Sequence, residues 1–370
     1  MSLPRQSRSE DRGAPREGAP REGAPREGAP REDAPAGFTV LKPGMLSSFQ
    51  DRGREGCQHQ GIPAAGAMDE RAHRLANALA GNTQDCATLE ITLAGPTLRF
   101  DAPACFALAG ADLGATLNGQ DIPRHRPLVA RAGDTLAFGA RPALGVRAYL
   151  AAHGGYALPP VMGSQATYLR SGFGGFHGRA LAKGDQVPLA RPLPAGADLD
   201  ALAQALWNLR VYLPSALGGR TRAGIRFLPG RHWNEFSAAS RRAFAEAEFR
   251  ISPQSDRMGY RLTGPALAMD APRQMLSEAA CFGTVQVPAG GEAIILMADR
   301  QTTGGYPKIA QIATVDLPLL AQCAPGHALR FEPIPLEEAQ RLDAARERAF
   351  AQLHEALAPL RALLNDGESS

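Results

Sequence analysis

Apolar and polar positions along this chain follow two periods. Between Met68 and Ala80 the spacing is helical: Met68, Ala72, Leu75, Ala76 and Leu79 share one face and Glu70, Arg71, His73, Arg74 and Asn77 the other. This predicts an amphipathic helix with His73 and Arg74 on its solvated side, and Gly81 stands where a C-terminal cap belongs. The period then drops to two. Leu89, Ile91 and Leu93 alternate with Thr88, Glu90 and Thr92, Gly95-Pro96 turns the chain, and Leu98 and Phe100 continue the pattern. Leu117-Asn-Gly-Gln120 reads as a hairpin, because Asn and Gly both tolerate positive φ.

Short strands with frequent Gly and Pro continue to about residue 190, a pattern of barrels or sandwiches rather than alternating βα units. Arg131-Ala-Gly-Asp-Thr-Leu-Ala-Phe138, Ala182-Lys-Gly-Asp-Gln-Val-Pro-Leu189 and Ala324-Pro-Gly-His-Ala-Leu-Arg-Phe331 each join a glycine turn to an alternating strand, which hints at two related β units. The expected organisation is mainly β (α+β). A first β subdomain covers 37–190, a connection 191–224 carries a short helical pattern around Leu202 to Leu209, and a second β subdomain covers 225–335. A C-terminal helix and tail, 336–370, place Leu342, Phe350, Leu353 and Leu357 on one helix face, with a break near Pro359 and fraying of the last residues.

Residues 1–36 differ in kind. The unit Ala-Pro-Arg-Glu-Gly repeats nearly perfectly from Ala14 to Pro35. A period of five excludes collagen, and a segment without large apolar side chains does not offset the entropy of ordering, so a disordered tail is expected. The rest has ample material for two cores: 370 residues, 44% hydrophobic. A net charge of +3 gives no field that favours nucleic acid or a membrane. Lysine occurs only at 42, 183 and 308, so 37 of the 40 basic residues are arginine and Lys308 stands out. Five cysteines without a CxxC pair favour a reducing compartment and argue against structural zinc; no metal site is expected. The start lacks a signal peptide's apolar core and no apolar run would span a bilayer, so the cytoplasm is the expected location.

Familiar catalytic signatures are missing. There is no GxxxxGK[ST] loop, GxSxG elbow or HExxH helix, and Gly172-Phe-Gly-Gly-Phe-His-Gly178 lacks a phosphate cradle's lysine. The candidate chemistry lies in two polar runs that each follow an apolar strand. Ser252-Pro-Gln-Ser-Asp-Arg-Met-Gly-Tyr260 follows Phe249-Arg-Ile251, and Ala298-Asp-Arg-Gln-Thr-Thr-Gly-Gly-Tyr-Pro-Lys308 follows Ala293-Ile-Ile-Leu-Met297. Asp256 beside Arg257 and Asp299 beside Arg300 are suited to grip an anion with arginine and to move a proton with a carboxylate. They suit equally two structural bridges that fix loops. Gln254, Ser255, Tyr260, Gln301, Thr302, Thr303, Tyr306 and Lys308 would contact substrate, Gly304 and Gly305 would lend backbone amides, and Glu278 is a third acid, with Glu90 a weaker fourth. Such a site requires both clusters to face one pocket.

These runs, with Gln50-Asp-Arg-Gly, Gly61-Ile-Pro-Ala-Ala-Gly-Ala-Met-Asp69 and Leu89-Glu-Ile-Thr-Leu-Ala-Gly-Pro96, resemble the allophanate hydrolase subunit 2 family, also called the biotin-dependent carboxyltransferase family, over about residues 38–335. The resemblance implies two cyclophilin-like β-barrel subdomains. It implies ATP-dependent opening of 5-oxo-L-proline to glutamate by a 5-oxoprolinase complex, alongside a subunit-1-type partner and a third subunit. Asp256, Asp299 or Glu278 would then manage protons, and Arg257, Arg300 or Lys308 would hold a carboxylate or phosphoryl group. Relatives imply alternatives: carboxyl transfer from carboxybiotin to urea, or regulatory binding of a kinase-inhibitor-like subunit-1 protein. No Met-Lys-Met segment is present for biotin attachment, and without a Walker loop any ATP site is unconventional or shared with a partner.

Overall fold

Alternating strands between residues 37 and 188 assemble into two antiparallel sheets. One holds, in order, Gln186–Pro188, Gly37–Lys42, Thr97–Phe100, Thr135–Phe138, Ala115–Leu117 and Gln120–Asp121. The other holds Leu46–Gln50, Thr88–Thr92, Arg147–Ala152, Ala104–Gly110 and Pro127–Ala130. The computed structural model describes residues 37–139, 145–194, 196–218, 224–271 and 275–366. The repeat tail expected over 1–36 lies outside the described residues. Phe38, Leu98, Phe100 and Leu136 of the first sheet meet Phe49, Leu89, Ile91, Phe106 and Leu150 of the second in one core. Asn118 (φ 53°) and Gly119 (φ 80°) make the expected hairpin turn, with Leu117 opposite Gln120. The three echoed glycines, Gly133, Gly184 and Gly326, share φ values of 90°, 89° and 83°, each just ahead of a strand.

Strands from residue 225 onward form an eight-stranded sheet and a separate two-stranded one, Glu278–Ala279 with Thr303–Gly304. The order of the larger is Ala328–Leu329, Phe249–Ile251, Gly259–Thr263, Ile294–Leu296, Thr284–Gln286, Lys308–Ile312, Ile225–Pro229 and Phe331–Pro333. The two edge strands are neighbours in sequence, separated only by Arg330, so the sheet curls until its edges nearly meet. Closure of this kind removes exposed edges, which explains how strands of two or three residues persist. Phe244 stacks on Phe331 with centroids 4.6 Å apart, and Phe227 and Phe249 fill the same core. The mainly β class with two β units and a C-terminal helix is thus the observed architecture.

The helices depart from the sequence reading in an informative way. Asp69 caps the helix Glu70–Leu79 through the backbone N–H of Ala72, 2.9 Å away. Its polar side is not solvated: His73 and Asn77 are fully buried and Arg74 nearly so. Strand Ala104–Gly110 turns Phe106 and Leu108 into the sheet core and Cys105, Ala107 and Ala109 the other way, and these small residues admit the helix closely. The long C-terminal helix Leu336–Ala356 then covers what would have been the wet face. Arg74 stacks on Phe350 at 3.9 Å and forks onto Glu347 at 2.8 and 2.7 Å, while His73 bonds Thr88 and the Gln84 carbonyl. Burial pushes the His73 pKa below its ordinary value. After a break at Leu357 the chain forms a second helix, Ala358–Asp366, whose Leu360 and Leu364 complete this cluster, and the last residues, expected to fray, lie outside the described ones. The connection carries a helix at Leu199–Asn208, slightly earlier than its sequence pattern.

Candidate active site

The two polar runs do come together, because strand Gly259–Thr263 pairs with Ile294–Leu296. Their charges are wired across the runs, however, rather than within them. Arg257 reaches Asp299 with Nε and Nη2, both at 3.0 Å, bonds Glu90 through Nη1, and places Nη2 2.6 Å from the Gly66 carbonyl. Glu90 also accepts from the Tyr149 hydroxyl at 2.8 Å and the Met68 N–H at 2.9 Å, with Arg147 Nε at 3.8 Å. Arg257, Asp299 and Glu90 are all buried. They staple the first β unit to the second and leave no fork for a ligand, so Arg257 is not available to hold substrate.

Opposing forces set the charges here. Burial disfavours ionised Glu90, but Arg257 and Arg147 outweigh it and hold the carboxyl below its ordinary value. Burial lifts the Asp299 carboxyl even with Arg257 alongside. A depressed carboxyl stabilises the fold above its unfolded value of 4.5 and loses that contribution as pH falls through its folded value. Because Glu90 also raises the Asp299 carboxyl, the test is made in an Asp299→Asn background, where the protein with Glu90 should lose more stability in urea unfolding between about pH 6 and pH 3 than its Glu90→Gln counterpart. Parallel curves would refute this.

Other expected site residues serve the fold. Asp256 is exposed and accepts from the N–H groups of Met258 (2.8 Å) and Gly259 (3.2 Å), so it pins its own turn rather than facing Asp299 across a pocket. Gln254 bonds Ser252, and Ser255 bonds the Arg261 backbone within the same turn. Tyr260 is buried, its hydroxyl accepting from Arg147 at 2.8 Å, and is unreachable by a substrate.

The rest of the second run lines a continuous strip. Thr303–Gly304 pairs with Glu278–Ala279, which places Glu278 opposite Gly304. Lys308 donates to Glu278 at 3.2 Å and to the Ala279 carbonyl at 2.8 Å; Arg231 also reaches Glu278 at 3.2 Å. The hydrogen bond from Lys308 keeps the Glu278 carboxyl below its ordinary value. The next carbonyl, Ala280, accepts from Arg300 Nε at 3.2 Å. Gln301 and Tyr306 are exposed, and Thr302 and Gly305 half-buried, along this strip.

Arg300 leads to a cavity of about 290 Å³ lined by Asp51, Arg52, Arg54, Glu55, Gly56, Gln58, Ala64, Ala65, Ala67, Glu70, Phe282 and Arg300. Most of its wall is the irregular segment after Gln50, which includes the Gln50-Asp-Arg-Gly and Gly61-to-Asp69 motifs of the family resemblance. Asp51 organises that segment, accepting from Gly53 N–H and Ser164 Oγ at 2.8 Å and from Gln165 N–H at 2.6 Å. Ala65 is held at φ 54° in the wall, a conformation rare for alanine. Arg52 pairs with Glu70 and Asp85 at the rim. Arg54 is 1% exposed, donating from Nε to the Val161 carbonyl at 3.1 Å and from Nη2 to Ala166. Burial lowers the pKa of both Arg54 and Arg300, only partly countered by Asp51 and Asp299 for the first and by Cys281 and Asp299 for the second. Among the described residues no cluster of His, Cys, Asp and Glu is arranged to hold a metal ion.

Residues 60–333 match the family described as carboxyltransferase domain, subdomain A and B. The C-type subunit of 5-oxoprolinase from Escherichia coli K12 is 40% identical over 314 residues, 85% of this chain and 96% of that protein. Its Haemophilus influenzae counterpart is 37% identical over the same shares. The crystal structure of K. lactis urea amidolyase superposes with a TM-score of 0.78 at 29% identity, over 87% of this chain but 20% of that longer one.

Proposed function

The chain belongs to the carboxyltransferase-domain family, and on that premise we propose that it is the C-type subunit of an ATP-hydrolysing 5-oxoprolinase in the cytoplasm. The observation that carries this reading is the match to the E. coli 5-oxoprolinase protein across 96% of that protein's length. The urea amidolyase match, by contrast, spans only a fifth of that chain.

Ring opening of 5-oxo-L-proline breaks the lactam C–N bond, adds the elements of water and leaves an amine and a second carboxylate; ATP hydrolysis drives it. The cavity of about 290 Å³ suits a five-membered lactam. With no GxxxxGK[ST] loop in the sequence, ATP is assigned to a site shared with or carried by a partner. Those partners are a subunit-1-type protein and a third subunit. Asp256 and Asp299 are committed to the fold, which leaves Glu278, on the strip that Arg300 joins to the cavity rather than in its lining, ionised beside Lys308 and reachable from solvent, to handle a proton. The Gly304–Gly305 strip beside it would supply amides for a developing oxyanion.

The test is reconstitution with the partner subunits and measurement of glutamate release coupled to ADP formation. Stoichiometric turnover is expected. A fully assembled complex that ignores 5-oxoproline but consumes urea and bicarbonate with a biotinylated carrier would replace this reading with carboxyl transfer.

A further inference from the structure

Two cations of unequal standing grip Glu278, the acid left to handle a proton. Lys308 takes Oε2 at 3.2 Å; its side chain is 13% exposed and is also fixed by the Ala279 carbonyl at 2.8 Å. Arg231 takes Oε1, also at 3.2 Å, but its side chain is 72% exposed. Among the described residues Arg231 has no partner other than Glu278. Exposed ion pairs are weak, and their partners exchange readily. The backbone beneath Arg231, by contrast, is clamped to the Lys308 strand. Gly230 N–H donates to the Ile309 carbonyl at 2.8 Å, His232 N–H to the Lys308 carbonyl at 3.1 Å, and Lys308 N–H to His232 Nδ1 at 3.0 Å. The approach is so close that a Cβ on Gly230 would lie 2.5 Å from the Lys308 carbonyl oxygen. Opposite Glu278 stands Gly304, which adds no side chain beside the carboxylate. The turn is thus fixed next to an open acid, while the guanidinium at its tip can leave.

We propose that Arg231 receives the carboxylate of the substrate and, in turning to it, releases Glu278 to accept a proton. This deepens the 5-oxoprolinase reading and rests on it for the substrate and for the role of Glu278. In 5-oxoproline the carboxylate sits on the ring carbon next to the lactam nitrogen. A molecule with its lactam bond beside Glu278 therefore brings its carboxylate within the sweep of the Arg231 side chain, whose fork matches it. Lys308, tied to the Ala279 carbonyl, stays with Glu278 and keeps it in place. Glu278 then takes a proton from the water that adds to the lactam carbonyl carbon, and returns it to the ring nitrogen as the C–N bond breaks. A lactam without the carboxylate gives Arg231 no reason to leave. Arg231, outside both polar runs, is a specificity-determining residue.

The experiment uses the assembled complex and two readouts. Calorimetry compares 5-oxoproline with 2-pyrrolidinone, the same ring without the carboxylate. Wild type should prefer 5-oxoproline, Arg231→Gln should cut that preference roughly tenfold, and Arg231→Lys should restore part of it. Turnover against pH then separates exchange from a plain ion pair. Lys308, Arg231 and His232 are the groups that hold the Glu278 carboxyl below its ordinary value. Without Arg231 the acid limb of kcat/KM, which reports the free enzyme, should move to higher pH. The acid limb of kcat, which reports the occupied site, should stay where it is, because in wild type Arg231 has already left. Limbs that move together or not at all, or an unchanged preference in Arg231→Gln, overturn the proposal. A complex inert toward 5-oxoproline whose binding preference still depends on Arg231 removes the 5-oxoprolinase reading and leaves the carboxylate receptor standing.

Discussion

Replacing Arg257 with methionine is expected to destabilise the folded chain by about 3–5 kcal/mol. The guanidinium neutralises two carboxylates from separate β units, Glu90 and Asp299, and all three groups are almost withdrawn from water. Removing it does not simply delete hydrogen bonds; it strands buried negative charge. Glu90 retains Arg147 at 3.8 Å, so most of the penalty falls on Asp299, which would take up a proton instead. Arg257→Lys keeps the charge but cannot fork, and should fall between wild type and Arg257→Met. Urea unfolding at neutral pH measures this. A loss below about 1 kcal/mol, the scale of exposed pairs, would mean that the network does not hold the two units together.

Gly174→Ala is expected to cost about 2–5 kcal/mol, the sum of a conformational and a packing penalty. Its φ of 73° disfavours any residue with a Cβ, and a methyl there would sit 2.2 Å from the Ala166 carbonyl oxygen and 2.3 Å from Arg54 Nη2. The backbone must yield, and the Arg54 fork yields with it. Gly172→Ala is the matched control: its φ is 68°, but nothing lies within 4 Å of the added atom. That variant should pay only the conformational part, about 1–2 kcal/mol. Equal losses in the two variants would show that the glycine turn does not grip Arg54.

Local signals were legible where the chain settles its structure within a few residues. The Asn118-Gly119 turn, the glycine turns ahead of three strands and the strand starting at Phe249 appear where the pattern puts them. Exposure was less legible. Helical spacing correctly outlined Glu70–Leu79, yet the polar face carrying His73 and Arg74 is covered by a helix almost 300 residues later. Glu90 shows a related limit: a charge in mid-strand calls for a partner, but only the fold shows that Arg257, Arg147 and Tyr149 supply it. The polar runs marked the right strand ends and the wrong bonds. Arg257 had two acids within reach, and sequence adjacency favoured Asp256 although Asp299 has the geometry for a fork.

Period, turn chemistry and motif content by themselves determined that this is a mainly β protein with a helical C-terminus, and pointed to its family. These are properties of short windows, where φ preferences and side-chain alternation act directly. Only the tertiary structure decided which carboxylates are sealed and which remain reachable, and that Arg257 is buried while Arg231 faces solvent. Whether a charge is satisfied depends on partners from distant segments and on the water they exclude, and neither is encoded in any window of the chain.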